Sequence, residues 1–476
     1  MFRSLIPNRK SNLLMIVGLF LAFAGGVRAQ TCEAVPKQIL LDLVNQPDLP
    51  AIATQYGLEQ TPIDQVGMPP TYRMRIRDDN SLNPCQIAQA MQGDARISQR
   101  ESNRKLKVVE KEGLPWTLGR SWAIGRSWAI GGSSKGYARQ WFPYTIRLSQ
   151  AHQITRGFMN NPPPGQTARP IVVAVLDTGI DLNHPAFAGR LVPGYDFVDN
   201  DNDPSEVGVL RQNPTYGHGT HVAGIAALMA PEAKIMPLRV LDENGESDLW
   251  KIKDALIWAA NHGADVVNMS FGYPRDFTAQ SNTFLEDVTH GCDGVPVPGQ
   301  QVFPEFNDEI LVIVAGAGNG GQIGNGADRI YPAAERANTD DNILSVGSSS
   351  RYDLLSTFST MANVQNRSTD RWVRTVAPGE EIISAIPGGR YGAWSGTSMS
   401  APIVSGITAL LLSVRPINPP TRSATHVVDE VEETGFGWKC NLPSRGIFME
   451  TSRVDAFCAV TNNQTCYPAD RSICNE

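Results

Sequence analysis

The sequence predicts an α/β fold of three layers, a central parallel sheet between helices, preceded by a small α+β unit. From about residue 170, short and almost wholly apolar runs (IVVAVL, KIMPLRVL, ADVVNMS, ILVIVAG, ILSVGS) alternate with segments of helical spacing. A strand that is apolar at every position is buried on both faces, the condition of a parallel strand covered by helices on either side. Upstream, residues 32 to about 110 mix helical and alternating patterns over a short length. At 476 residues, 41% hydrophobic and 19% charged, the chain is long enough for more than one domain. Its formal charge of −7 shows no basic excess, which argues against a nucleic-acid partner.

Residues 1–29 have three zones: basic Arg3, Arg9 and Lys10, then apolar LLMIVGLFLAFAGGV, then VRA before Gln30. With Val27 and Ala29 at the −3 and −1 positions, this is the pattern of a secretory signal peptide and predicts a secreted or periplasmic product. An uncleaved anchor is the alternative, although the run is short for a span of roughly 20 residues. No later segment reads as a membrane span, so no stable insertion is expected after signal removal. All seven cysteines (32, 85, 292, 440, 458, 466 and 474) follow that cleavage point, where disulfides persist. Four fall in the last 37 residues and suggest a stapled tail at 461–476; the zinc alternative lacks both a nearby histidine and a C-x-x-C spacing. Pairing of Cys32 with Cys85 is attractive, but spacing does not fix the connectivity.

Within 30–112, DLPAIATQYGL and NPCQIAQAMQGD have helical spacing, and TYRMRIRDD and NRKLKVVE read as strands of a self-contained unit. Residues 113–135 form a Gly/Ser/Trp linker that carries the unit GRSWAI twice in tandem, too few copies for a solenoid. The main domain is expected over 136–460.

In a parallel sheet the ligand site lies outside the carboxyl ends of the strands. Three apolar runs end there in polar residues: Asp177, then Ser270 with Gly272, then Asn319. A lone aspartate at a strand end is more often a turn former or helix cap. YGHGTHVAGIAALM starts a helix with His218 and His221 in its first turn, and periodicity alone does not choose between them. Flanking Gly217 and Gly219 favour His218, by removing bulk where a substrate backbone would pass. In AWSGTSMSAP, Pro402 is tolerated near a helix start and places that start around Ser398. Counting back from Leu411, Ile407 and Val404 puts Ser400 on the apolar stripe, whereas Ser398 aligns with Pro402, Ser405 and Ala409 at the positive end of the helix dipole. A serine nucleophile needs a base, and the base needs a partner to fix its tautomer; Asp177, His218 and Ser398 could supply these roles.

These motifs resemble the subtilisin-like serine peptidases, the subtilase superfamily. The matching stretches are AVLDTGIDLNHP, GHGTHVAGIAA, VVNMSFG, VAGAGN, VAPGEEIISAIPGG and GTSMSAP, in the family's order over about 171–412, and KGYARQWFPYTIRLSQAHQ extends the match to about 136. The order Asp, His, Ser is that of subtilisin and is taken from it. The resemblance selects His218 over His221 and Ser398 over its neighbours. It implies that Ser398 attacks the scissile carbonyl, His218 shuttles the proton, Asp177 orients the imidazole and Asn319 donates to the oxyanion. Ser270, Phe271 and Gly272, and Gly316, Ala317 and Gly318, match the backbone strands flanking the substrate, and no acidic residue lies in either segment.

The implied function is a secreted serine endopeptidase acting on peptide and protein substrates through an acyl-enzyme, with no cofactor required for chemistry. The 30–112 unit stands in the place of the family's inhibitory pro-region, making the chain a zymogen. Asp196, Asp199, Asp201 and Asp203 crowd one loop, as hard oxygen donors for a structural Ca2+ would; a solvated acidic loop is the alternative. The family's other calcium aspartate, in the DTGIDLNHP region, is replaced by Ala186. Competing readings are a catalytically degenerate binding module on the same fold and a maturation protease with few substrates. The insertion over 273–308 has no assigned role.

Overall fold

The computed structural model describes residues 32–107, 133–210, 212–274, 311–321, 323–324, 330–334, 342–362, 372–418, 421–442, 447–463 and 471–472. The proposed signal segment, the GRSWAI repeats, most of the 273–308 insertion with Cys292, and Cys466 and Cys474 lie outside these residues.

The N-terminal unit runs β1 (Ala34–Leu43), α1 (Leu49–Tyr56), β2 (Asp64–Val66), β3 (Thr71–Arg75), α2 (Pro84–Ala90) and β4 (Ile97–Lys107). Both helices have clear end signals: Gly57 closes α1 in the left-handed conformation, and Asn83 with Gln86 forms a capping box on α2. Central β1 pairs antiparallel with β3 and β4, and Ile39, Leu41 and Leu43 face a core that includes Ile52, Met74 and Ile87. The outer edge of β4 pairs with β8 (Glu246–Asp248) from the main domain, completing a five-stranded sheet. Leu40 and Leu106 join a core containing Trp250, Arg73 stacks over the Trp250 ring at 4.9 Å, and the Trp250 N–H donates to Asn103 Oδ1 at 3.1 Å.

The main sheet has ten strands. Its elements in chain order are β5 (Val172–Asp177), β6 (Tyr195–Asp196), α3 (His218–Met229), β7 (Lys234–Arg239), then β8, α4 (Leu249–Asn261), β9 (Val266–Met269) and β10 (Val312–Gly316). After these come β11 (Ile343–Ser349), β12 (Thr375–Pro378), the hairpin β13 (Ile382–Ile386) and β14 (Arg390–Trp394), α5 (Thr397–Val414), α6 (Ala424–Glu433), β15 (Phe436–Leu442), β16 (Ile447–Arg453), α7 (Ala456–Thr461) and β17 (Arg471–Ser472). The spatial order is β17-β15-β16-β12-β11-β10-β9-β5-β7-β6, parallel throughout except where β15 meets β16.

Alternation along each strand explains why the runs are apolar at every position. Val173, Val175, Val312 and Val314 enter one core with α3 and α5, while Ala174, Leu176, Ile313 and Ala315 enter the other with α4. Two cores, one per face, make the three layers. From β5 the chain moves outward to β7 on one side and to β9 on the other, so the topological switch lies at the carboxyl end of β5, beside Asp177.

Helix α5 is buried along nearly its whole length. By length and hydropathy it could cross a membrane, contrary to the reading of the sequence, but it is a core helix with 94% of that window inside the protein. Pro402 lies in its second turn rather than its first, and removes the N–H that would bond to the Ser398 carbonyl four residues back.

Candidate active site

Asp177 ends β5, and His218 opens α3 behind Gly217, which takes the left-handed conformation (φ 91°) at the helix N-cap. Their side chains are 1% and 0% exposed, and His218 Nδ1 lies 2.7 Å from Asp177 Oδ1. The same carboxylate oxygen accepts the Thr178 N–H at 2.8 Å. With Nδ1–H donating to the carboxylate, Nε2 is the basic nitrogen of the ring. Gly217 serves the turn and Gly219 the packing of the helix. A Cβ on Gly219 would sit 2.2 Å from the Gly179 carbonyl oxygen and 3.0 Å from Asp177 Cβ, so only glycine lets α3 approach β5 this closely.

His221, one turn on, faces elsewhere. Its ring stacks on Trp394 at 4.7 Å with a 7° interplanar angle, and its Nε2 meets the Gly392 carbonyl at 3.1 Å. Burial pushes its pKa down to about 3, so the ring is neutral and Nε2 carries the donated proton.

The four hydroxyls of AWSGTSMSAP have separate partners. Ser395 Oγ accepts the Glu381 N–H at 2.9 Å, and Ser400 Oγ donates to the Ala377 carbonyl at 3.0 Å. Thr397 Oγ accepts the Gly318 N–H at 3.1 Å and donates to Asn319 Oδ1 at 3.2 Å. Ser398 Oγ donates to the Ser270 carbonyl at 3.1 Å, and Ser270 Oγ donates back to the Ser398 carbonyl at 3.0 Å. Ser270 thus fills the carbonyl left open by Pro402. The Ser398 N–H belongs to the first turn of α5, whose N–H groups have no intrahelical acceptor. Asn319, three residues past β10, accepts the Thr397 N–H on Oδ1 at 2.9 Å. That contact fixes the flip of the amide and commits its NH2 as the remaining donor.

A carboxylate–imidazole pair at the switch point thus shares the carboxyl end of one sheet with a serine at a helix start and an oriented amide. A family profile described as Subtilase family matches residues 168–439 of this chain. The chain belongs to the subtilase family. It is 35% identical over 337 residues to the thermophilic serine proteinase of Bacillus sp. (strain AK1), covering 69% of this chain and 68% of that one. To thermitase of Thermoactinomyces vulgaris it is 33% identical over 333 residues, covering 68% and 96%. Fervidolysin from Fervidobacterium pennivorans superposes with a TM-score of 0.60 over 90% of this chain and 61% of its own, at 22% identity, and shows the fold. This subtilase is a serine peptidase.

The segments matched to the family's substrate strands follow β9 and β10. Ser270, Phe271 and Ala317 are at most 1% exposed, with Phe271 and Ala317 in the α4-side core. Ala317 N–H donates to the Val346 carbonyl at 2.9 Å. In both segments these side chains are turned inward.

The aspartate loop expected to hold calcium is bonded to itself and to Arg239. Asp196 Oδ1 accepts the N–H groups of Val198 and Asp199 at 2.7 and 3.0 Å, and Asp196 Oδ2 and Asp199 Oδ2 both accept from Arg239 at 2.6 and 2.5 Å. Asp201 and Asp203 accept backbone N–H groups two residues on. A buried guanidinium already supplies the positive charge here. No group of three or more His, Cys, Asp or Glu side chains placed to hold a metal occurs among the described residues.

One carboxyl escaped the sequence reading. Glu206, in the polar stretch PSEVGV, accepts from Thr178 Oγ at 2.6 Å and Thr220 Oγ at 2.8 Å, directly behind the subtilase's Asp177–His218 pair. Burial pushes its pKa up to about 7, against the lowering effect of its donors. An acid in a polar loop gives no periodicity signal.

Proposed function

We propose that this subtilase is a secreted endopeptidase that hydrolyses peptide bonds through Asp177, His218 and Ser398. The observation that carries the reading is the 2.7 Å contact between His218 Nδ1 and Asp177 Oδ1, fully enclosed at the switch point of the sheet. Ser398 Oγ turns from the Ser270 carbonyl toward His218 Nε2, gives up its proton there and attacks the scissile carbonyl carbon. Asn319 Nδ2 and the Ser398 N–H donate to the oxyanion. His218 returns the proton to the leaving amine, and a water deprotonated by the same nitrogen releases the acyl group.

The chain is made as a precursor in this reading. The N-terminal unit lays β4 against β8 and seats on Trp250 of α4, and Lys253 Nζ lies 3.4 Å from Asp42 Oδ2 across the same face. An added edge strand is how a peptide commonly docks on a sheet. Secretion is supported by residues 1–29 and by disulfide bonding of Cys32, Cys85 and Cys458, which calls for an oxidising compartment. A fluorophosphonate should label Ser398 in the processed protein and not in Ser398→Ala. Folded, processed protein that remains unlabelled overturns the reading.

A further inference from the structure

We propose that Glu206 is a positioning residue for the Asp177–His218 pair, its carboxyl tying the segment after Asp177 to the first turn of α3. The inference rests on the triad reading above and concerns how the pair is held.

The ties run in both directions. Glu206 Oε1 accepts from Thr178 Oγ at 2.6 Å, next in sequence to Asp177. Oε2 accepts from Thr220 Oγ at 2.8 Å and from the Thr220 N–H at 3.2 Å, two residues after His218. Each threonine is then cross-linked to the other segment: Thr178 Oγ accepts the Gly219 N–H at 3.0 Å, and Thr220 Oγ accepts the Asp181 N–H at 2.9 Å. The backbone of Glu206 is pinned as well. Ile180 N–H donates to the Pro204 carbonyl at 3.0 Å, and Glu206 N–H to the Ile180 carbonyl at 3.1 Å. A Cβ on Gly179, at φ +100°, would come within 2.6 Å of the Ser205 carbonyl oxygen.

The donor inventory explains why this position holds a carboxylate. Each hydroxyl is receiving an N–H, so its single proton must go to Glu206, and the Thr220 and Gly217 backbone N–H groups point there too. Only a group that accepts at both ends satisfies them all. A glutamine would turn an NH2 toward one of these donors. The carboxyl also acts by charge: Asp177 faces it from β5 and Tyr216 from the approach to α3, with Asp181 and Arg390 acting on Tyr216 in turn. Burial holds Glu206 at a pKa of about 7.

The test uses the processed full chain and a chromogenic peptide anilide. In Glu206→Gln, kcat should fall about 10–100-fold from misplacement of the pair, with KM changing far less. The acidic limb of the kcat/KM profile should move, because the Glu206 carboxyl, pushed up to about 7 by burial, no longer titrates there. Thr220→Val should lose kcat in the same way, and Thr220→Ser, which keeps the hydroxyl, should recover most of it. A folded Glu206→Gln with unchanged kcat and an unmoved acidic limb overturns the proposal. Should Glu206→Gln not fold, equal kcat in the Thr220→Val and Thr220→Ser proteins overturns it. His218→Ala separates the two readings: if it is fully active the triad fails, and if it is inactive while Glu206→Gln matches the parent, only the positioning role fails.

Discussion

His218 Nδ1 and Asp177 Oδ1 lie 2.7 Å apart in surroundings that exclude solvent from both side chains. An asparagine at 177 fits the same space but can present N–H to the ring. It then favours the tautomer with the proton on Nε2, where the base is needed. Asp177→Asn should lower kcat by about 10⁴-fold while leaving the fold intact. The measurement is kcat on a peptide substrate beside a circular dichroism spectrum; a loss under tenfold in folded protein contradicts the assigned role.

Asn319 is held by its oxygen, which accepts the Thr397 N–H at 2.9 Å and the Thr397 hydroxyl at 3.2 Å, and this leaves the NH2 to act as donor. Asn319→Ala should reduce kcat by roughly 10²–10³-fold with little change in KM, a magnitude taken from oxyanion-hole substitution in subtilisin. A change confined to KM would show that Asn319 binds the ground state instead.

The strand ends were readable because a parallel strand buried on both faces has no use for polarity until it leaves the sheet, so Asp177 and Asn319 stand out against apolar runs. β1 was not readable. Pro36 and Lys37, at φ 60°, break its alternation, and its run of buried residues faces two different cores. Helical spacing could not rank Ser398 and Ser400 by burial either, because both are at most 1% exposed on a helix enclosed on all sides; their partners distinguish them. Arg239 and Glu206 belong to a third kind of miss. Their meaning lies in contacts to residues 14 or more positions away, Glu206 with Thr178 and Thr220 and Arg239 with Asp196, and no local pattern records those.

Arg239 and Asp196 are each 1% exposed, and the Arg239 guanidinium pairs with Asp196 and Asp199 of the loop. Asp199 is mostly exposed at its side chain, so the Asp196 half of the pair carries the energetics. Arg239→Met keeps much of the volume but strands a buried carboxylate, at a cost of about 3–5 kcal/mol. Thermal unfolding in the inactive Ser398→Ala background should show a large drop in Tm for Arg239→Met. The double variant Arg239→Met with Asp196→Asn should recover part of it. No recovery would mean that the loss arises from packing.

The neutral state of His221 sets a pH dependence of stability. Burial lowers its pKa from 6.5 to about 3, so between those values the unfolded chain takes up a proton that the native protein refuses. Its contribution is complete above pH 6.5 and is lost as pH falls toward 3, at up to about 1.4 kcal/mol per pH unit. Two carboxyls oppose it. Burial raises Glu206 from 4.5 to about 7 and Asp254 from 3.8 to about 6, so their protonated native forms cost stability as pH rises through those windows. The His221 contribution is isolated by His221→Gln, in which the amide can still donate to the Gly392 carbonyl. In the Ser398→Ala background, the parent and His221→Gln proteins should differ in the slope of unfolding free energy against pH by about one proton between pH 4 and 6. Parallel slopes there would mean that His221 protonates in the native state, contradicting its placement between Trp394 and the Gly392 carbonyl.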